Sequence, residues 1–259
     1  MPFSLNSKIA CITGASSGIG LACAHAFAEQ GANLILLARR KSRLDKLAEE
    51  LSSEHGVKVL TGELDVRDQP AVELFFSSLE TGWSAIDVLV NNAGLSRGLK
   101  KLHEGSVQDW EEMIDTNVKG LLYVTRATLP GMVARNSGHI INLGSIAGHQ
   151  TYPAGNVYCA TKFAATAITR SLRMDLHGTP IRVSTVDPGL VETEFSQVRF
   201  RGDTARAAKT YAGLRPLSPA DVADAVVFCA SRPVHVNIGE IIMTCTDQAT
   251  VSMVHRTGV

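Results

Sequence analysis

The sequence predicts an α/β fold: one doubly wound domain whose mainly parallel sheet carries helices on both faces. Three observations predict it. Short apolar runs alternate with helical patterns from one end of the chain to the other. The first apolar run ends in a glycine-rich turn that opens onto a helix. No linker, repeat or low-complexity tract divides the 259 residues, so 1–259 reads as a single unit.

Residues 8–13 are the first strand, a short buried run ending at Gly14. The turn 13–20 leads into a helix over 21–30, and residues 33–38 form the second strand. Leu44, Leu47, Ala48 and Leu51 share one face of a helix over 44–54. A third strand follows at 57–60. Asp68 is placed to cap the next helix, with Pro70 in its first turn. The fourth strand, 86–90, ends in Asn91-Asn92-Ala93-Gly94, small polar residues suited to a close backbone approach. A long helical stretch covers 107–135 and contains Asn117, with Pro130 expected to bend or interrupt it. The fifth strand is 139–143, with Ser145 just beyond it, and a helix over 155–176 carries Tyr158 and Lys162. The sixth strand, 181–186, runs into Asp187-Pro188-Gly189. Residues 190–215 are polar and show no strand pattern, which in a compact domain suggests a substrate lid. A helix over 221–230 and a seventh strand at 240–243 complete the alternation.

Composition excludes several classes. Acids and bases balance at 25 each, so there is no nucleic-acid footprint. No apolar run approaches the roughly 20 residues that span a bilayer. The start lacks a charged region followed by an apolar core, so no signal peptide is expected. Five scattered cysteines, without a CxxC pair or Cys/His cluster, predict no metal site and a reducing, cytoplasmic compartment.

The chemistry concentrates at three places. Glycines at 14, 18 and 20, at a strand-to-helix junction, let backbone approach a pyrophosphate that the helix N-terminus favours. After the second strand, Ala38 stands where an acidic residue would accept the ribose 2′-hydroxyl of NAD. Arg39 and Arg40 follow it and suit a 2′-phosphate, so NADP is preferred. Tyr158 and Lys162, four apart on a helix, share a face. A fixed cation beside a phenol lowers its pKa from about 10 and makes it a usable general acid/base.

Together these motifs resemble the short-chain dehydrogenase/reductase family over nearly the whole chain. The resemblance rests on Gly14, Gly18 and Gly20, on Asn91-Asn92-Ala93-Gly94, on Asn117, Ser145, Tyr158 and Lys162, and on Pro188-Gly189. It implies a Rossmann fold with a seven-stranded parallel sheet in the order 3-2-1-4-5-6-7. It implies catalytic roles for four residues: Ser145 binds the substrate oxygen, Tyr158 exchanges its proton, Lys162 holds the nicotinamide ribose and lowers the Tyr158 pKa, and Asn117 holds a relay water. Further cofactor contacts are implied for Ser16, Ser17 and Ile19 in the glycine turn, and for Asp65 and Val66 at the adenine. Asn91 is assigned to the adenosine-side ribose, Ala93 and Gly94 follow it, and Pro188, Gly189, Val191 and Thr193 lie toward the nicotinamide. A homotetramer is implied as well.

A narrower resemblance is to a bacterial and yeast branch of NADP-dependent 3-hydroxy acid dehydrogenases, also described as serine or allo-threonine dehydrogenases and malonic semialdehyde reductases. It rests on the runs at 115–120, 129–133, 155–158, 189–196 and 198–203, and on Val254-His255-Arg256. The branch implies a short anionic substrate. Arg199 is the first candidate to pair with that anion and Arg201 the second. Arg97 and the stretch His149-Gln150-Thr151 depart from the branch pattern. The alternatives are the same chemistry on sulfoacetaldehyde or an uncharged ketone, or an NADP-binding regulator without turnover.

Overall fold

A computed structural model describes residues 3–258. Seven strands form one parallel sheet in the order β3-β2-β1-β4-β5-β6-β7. They are β1 (Ile9–Thr13), β2 (Asn33–Ala38), β3 (Val59–Glu63), β4 (Val88–Asn91), β5 (His139–Leu143), β6 (Arg182–Pro188) and β7 (Glu240–Met243). The central strands are almost wholly apolar because both faces are covered. Alternation then sends successive side chains to opposite cores. Ala10, Ile12, Leu34, Leu36, Val88 and Val90 pack on one face under α1 (Gly18–Glu29), α2 (Lys41–His55) and α9 (Pro219–Ala230). Cys11, Ile35, Leu37, Leu89, Ile140 and Val183 pack on the other, against residues of α3 (Gln69–Ser77), α5 (Leu121–Arg135) and the end of α6 (Asn156–Asp175). The strand order reverses between β1 and β4, which opens a crevice at the carboxyl ends of those strands.

Local signals behave as their chemistry requires. Asp68 accepts from the Ala71 amide at 3.1 Å with Pro70 in the first turn of α3. Ser218 and Asp221 cap α9 reciprocally. All five cysteines are buried and free.

Two expectations are corrected. The third strand begins at Val59 rather than 57 and runs to Glu63. Gly62 interrupts its apolar pattern, since a Cβ there would stand 2.5 Å from Phe75 and 2.7 Å from Leu37. The stretch 107–135 is broken at Asn117, not at Pro130: α4 (Val107–Ile114) passes through a π-helical turn at Asp115–Gly120 into α5, which continues through Pro130. One lost amide is tolerable where neighbouring turns stay bonded, whereas a π turn shifts the whole register. The connection from β6 to α9 forms no strand of the sheet, in keeping with its polar pattern. It holds α7 (Phe195–Arg199) and α8 (Thr204–Lys209), the latter capped by Asp203.

Candidate active site

The β1–α1 turn is drawn tightly against the end of β4. Asn92 donates to the Thr13 carbonyl at 2.9 Å, and Thr13 Oγ1 accepts from the Asn92 and Ala93 amides, both at 3.0 Å. A Cβ on Gly20 would lie 2.5 Å from both Asn92 Nδ2 and the Gly14 carbonyl, so only glycine fits. Gly14 itself has φ +67°, a left-handed conformation that glycine adopts without penalty. Thr13 and Asn92 therefore clamp the turn that the glycines permit.

A cleft of about 440 Å³ runs from this turn to the catalytic candidates. Among the expected cofactor residues, Gly14, Ser16, Ser17, Gly18, Ile19, Arg39, Arg40, Asp65, Val66, Ala93, Gly94, Pro188, Gly189, Val191 and Thr193 line it. Gly20 and Asn91 do not. Asn91 corrects the expected ribose contact: its amide donates into the core, to Thr125 Oγ1 and Asn142 Oδ1 at 2.9 Å each. Arg40 lies over the glycine turn, with Nη2 2.7 Å from Ser17 Oγ and Nε 3.2 Å from Ser16 Oγ.

Ser145, Tyr158 and Lys162 converge at the far end of the cleft. Ser145 caps a single 3₁₀ turn, accepting from the Ala147 amide at 3.1 Å, and its hydroxyl reaches the Pro188 carbonyl at 3.4 Å. Lys162 is buried and donates to the Leu143 carbonyl at 2.8 Å. Burial lowers its pKa to about 8, and the Asp187 carboxylate works against that shift. The expected fall in the Tyr158 pKa is not what this structure gives. Burial pushes the phenol up to about 12, while the Arg199 guanidinium and the Ser145 hydroxyl act in the opposite direction. Desolvation outweighs the one cation that acts on it, and that cation, over the ring, is Arg199 rather than Lys162. Asn117 does not line the cleft. Its amide is spent on Leu95 N, Leu95 O and Thr161 Oγ1 at 2.8, 2.8 and 3.0 Å, so the side chain anchors the 94–95 backbone.

Arg199 projects from α7 into the cleft. Its Nε is 3.0 Å from Ser96 Oγ and its Nη2 is 2.9 Å from Tyr152 Oη. Its guanidinium carbon lies 5.2 Å from the centroids of both the Tyr158 and Phe195 rings. Arg201, the second candidate, turns away and pairs with Asp109. Arg97 also stays outside the cleft. It forms a two-pronged pair with Glu112 at 2.6 and 3.0 Å and donates to the Val198 carbonyl, which fastens α7 to the 95–98 loop. His149 faces the fully buried Asp187 at 2.8 Å rather than the cleft, and Gln150 accepts from the Val251 amide. The sequence reading missed Ser96, Tyr152 and Glu194. No local pattern marks them, because they reach the site from three separate loops.

The chain belongs to the short chain dehydrogenase family, whose model matches residues 8–203. An NADP-dependent 3-hydroxy acid dehydrogenase YdfG of Salmonella typhi is 51% identical over 250 residues, covering 96% of this chain and 99% of the relative. The fission yeast Schizosaccharomyces pombe has an NADP-dependent 3-hydroxy acid dehydrogenase 43% identical over 253 residues, with 97% and 98% covered. Among solved structures, the closed form of serine dehydrogenase complexed with NADP+ superimposes with a TM-score of 0.90 at 48% identity, over 96% of this chain and 99% of that one.

Proposed function

We propose that this chain is an NADP-dependent oxidoreductase acting on CH–OH groups, and that it interconverts a small 3-hydroxy acid and its carbonyl form. Family membership and the named relatives support the coarser part. One observation carries the finer part: the Arg199 guanidinium stands 5.2 Å from the Tyr158 ring, in the same cleft as Ser145. A guanidinium there suits an anionic group on a short substrate.

The residues present fit the cofactor. The glycine turn leaves backbone amides open at the start of α1, and Arg39, Arg40, Ser16 and Ser17 supply cations and hydroxyls at the adenosine end. When bound, NADP supplies or accepts the hydride. The chain's own residues do the rest. Ser145 holds the substrate oxygen, and Tyr158 gives that oxygen a proton in reduction and takes it back in oxidation. Burial favours the protonated phenol, the form that donates in reduction, while Arg199 and Ser145 favour the phenolate that oxidation needs. Lys162 is fixed on the Leu143 carbonyl beneath the site, and in this role its remaining donors serve the ribose. Because the Asn117 side-chain amide is already committed to Leu95, the relay-water role passes to main-chain groups of the π turn. Residues 190–215 act as the lid that brings Arg199 to the substrate, and the working assembly is a homotetramer.

The Tyr158→Phe variant tests the reaction type. Turnover should fall by about three orders of magnitude while NADPH binding, followed by fluorescence, stays within about twofold. Retained turnover would refute the role of Tyr158.

A further inference from the structure

The adenosine end of the cleft contains an anion of the protein's own. Glu194 directly precedes α7. Its Oε2 accepts from Arg40 Nη1 at 2.8 Å and its Oε1 accepts from Arg43 Nη1, also at 2.8 Å. The two guanidiniums hold its carboxyl down at about 2, so it is ionised at any working pH. The remaining donors of Arg40 rest on Ser16 and Ser17, at 3.1 Å from Nη2 to Ser16 Oγ and 2.7 Å to Ser17 Oγ. One carboxylate thus spans the two arginines of α2 and its N-cap, within the corner that a ribose 2′-phosphate needs.

A phosphate entering this corner requires the same N–H groups and meets a like charge already seated on them. We infer that Glu194 is a specificity-determining residue, an internal anion, held from behind by Arg43, that competes with the cofactor's 2′-phosphate for Arg40. The inference rests on the NADP reading above. Glu194 also ties the segment carrying Arg199 to the adenosine end, so exchange of carboxylate for phosphate links cofactor identity to the lid. NAD, with no 2′-phosphate, leaves the Glu194 pairs intact.

The test is calorimetric titration of the full chain with adenosine 2′,5′-bisphosphate and, separately, with 5′-AMP. Wild type should bind the bisphosphate more tightly. Glu194→Gln should tighten bisphosphate binding about fivefold at low salt while 5′-AMP changes by less than about twofold. The gain should shrink at about 0.5 M salt. Glu194→Ala should move the same way, and melting temperatures of both variants establish that they are folded. Unchanged or weaker bisphosphate binding in both folded variants would overturn the inference and make Glu194 a support for the arginines. A wild type that fails to distinguish the two ligands would overturn the NADP reading itself, and the inference with it.

Discussion

Replacing Arg199 by Met removes the cation and its donors while keeping an unbranched apolar stem in the space beside the Tyr158 and Phe195 rings. The Gly98 amide still donates to the residue 199 carbonyl at 3.0 Å, and Arg97 still holds the Val198 carbonyl, so α7 keeps its place. The loss is then chiefly that of the interaction with the substrate anion. Two charge-assisted hydrogen bonds contribute about 1.5 kcal/mol each, so about 3 kcal/mol is lost, on the order of a hundredfold in kcat/KM. A second effect falls on Tyr158, because Arg199 is the largest influence opposing the upward shift of its pKa. The assay is initial-rate NADPH formation with 3-hydroxypropionate and with an uncharged alcohol of matching length. Arg199→Met should cost about a hundredfold on the acid and less than about tenfold on the alcohol. Equal losses on both would refute anion recognition by Arg199 and leave it a role toward Tyr158 alone.

Other outcomes follow from the same geometry. Lys162 has a folded pKa depressed from 10.5 to about 8, so the unfolded chain binds more protons between those values. Its burial therefore costs stability fully below pH 8, and the cost fades as pH rises toward 10.5. Set against the lost bond to the Leu143 carbonyl, Lys162→Met should stabilise the cofactor-free protein by about 2 kcal/mol at pH 7 in denaturant melts, with the advantage vanishing above about pH 10. A pH-independent difference would contradict this. Gly144→Ala would place a Cβ 1.7 Å from Asp187 Oδ1, a carboxylate pinned by Thr185 and His149. It should cost about 3 kcal/mol or more, and a melting temperature within two or three degrees of wild type would show that Asp187 moves freely. Light scattering should give the mass of four chains, and a monomer at working concentration would remove the assembly proposal.

Much of this fold was legible because buried parallel strands are apolar on both faces and glycine or proline punctuates their ends. The glycine turn and the Tyr158–Lys162 pair could be placed from residue pattern, and Ser145 from the family resemblance. What escaped is what depends on distant partners. The π turn at Asn117 buries Thr116, Asn117 and Gly120 rather than large apolar side chains, so hydrophobic spacing carries no signal of it. Arg97 stands out in the sequence by its departure from the branch pattern, but its partners Glu112, on α4, and the Val198 carbonyl, on α7, are distant in sequence. The Tyr158 pKa was expected to fall because the sequence shows the cation and hides the burial.

The most direct measurement is the rate of NADPH formation from NADP with 3-hydroxypropionate, L-serine, isethionate and an uncharged short alcohol, compared as kcat/KM. A carboxylate substrate should lead the uncharged alcohol by about two orders of magnitude. Isethionate in the lead would keep the guanidinium and change the anion to a sulfonate. Equal or better turnover of the uncharged alcohol would contradict the central claim that Arg199 selects an anionic substrate.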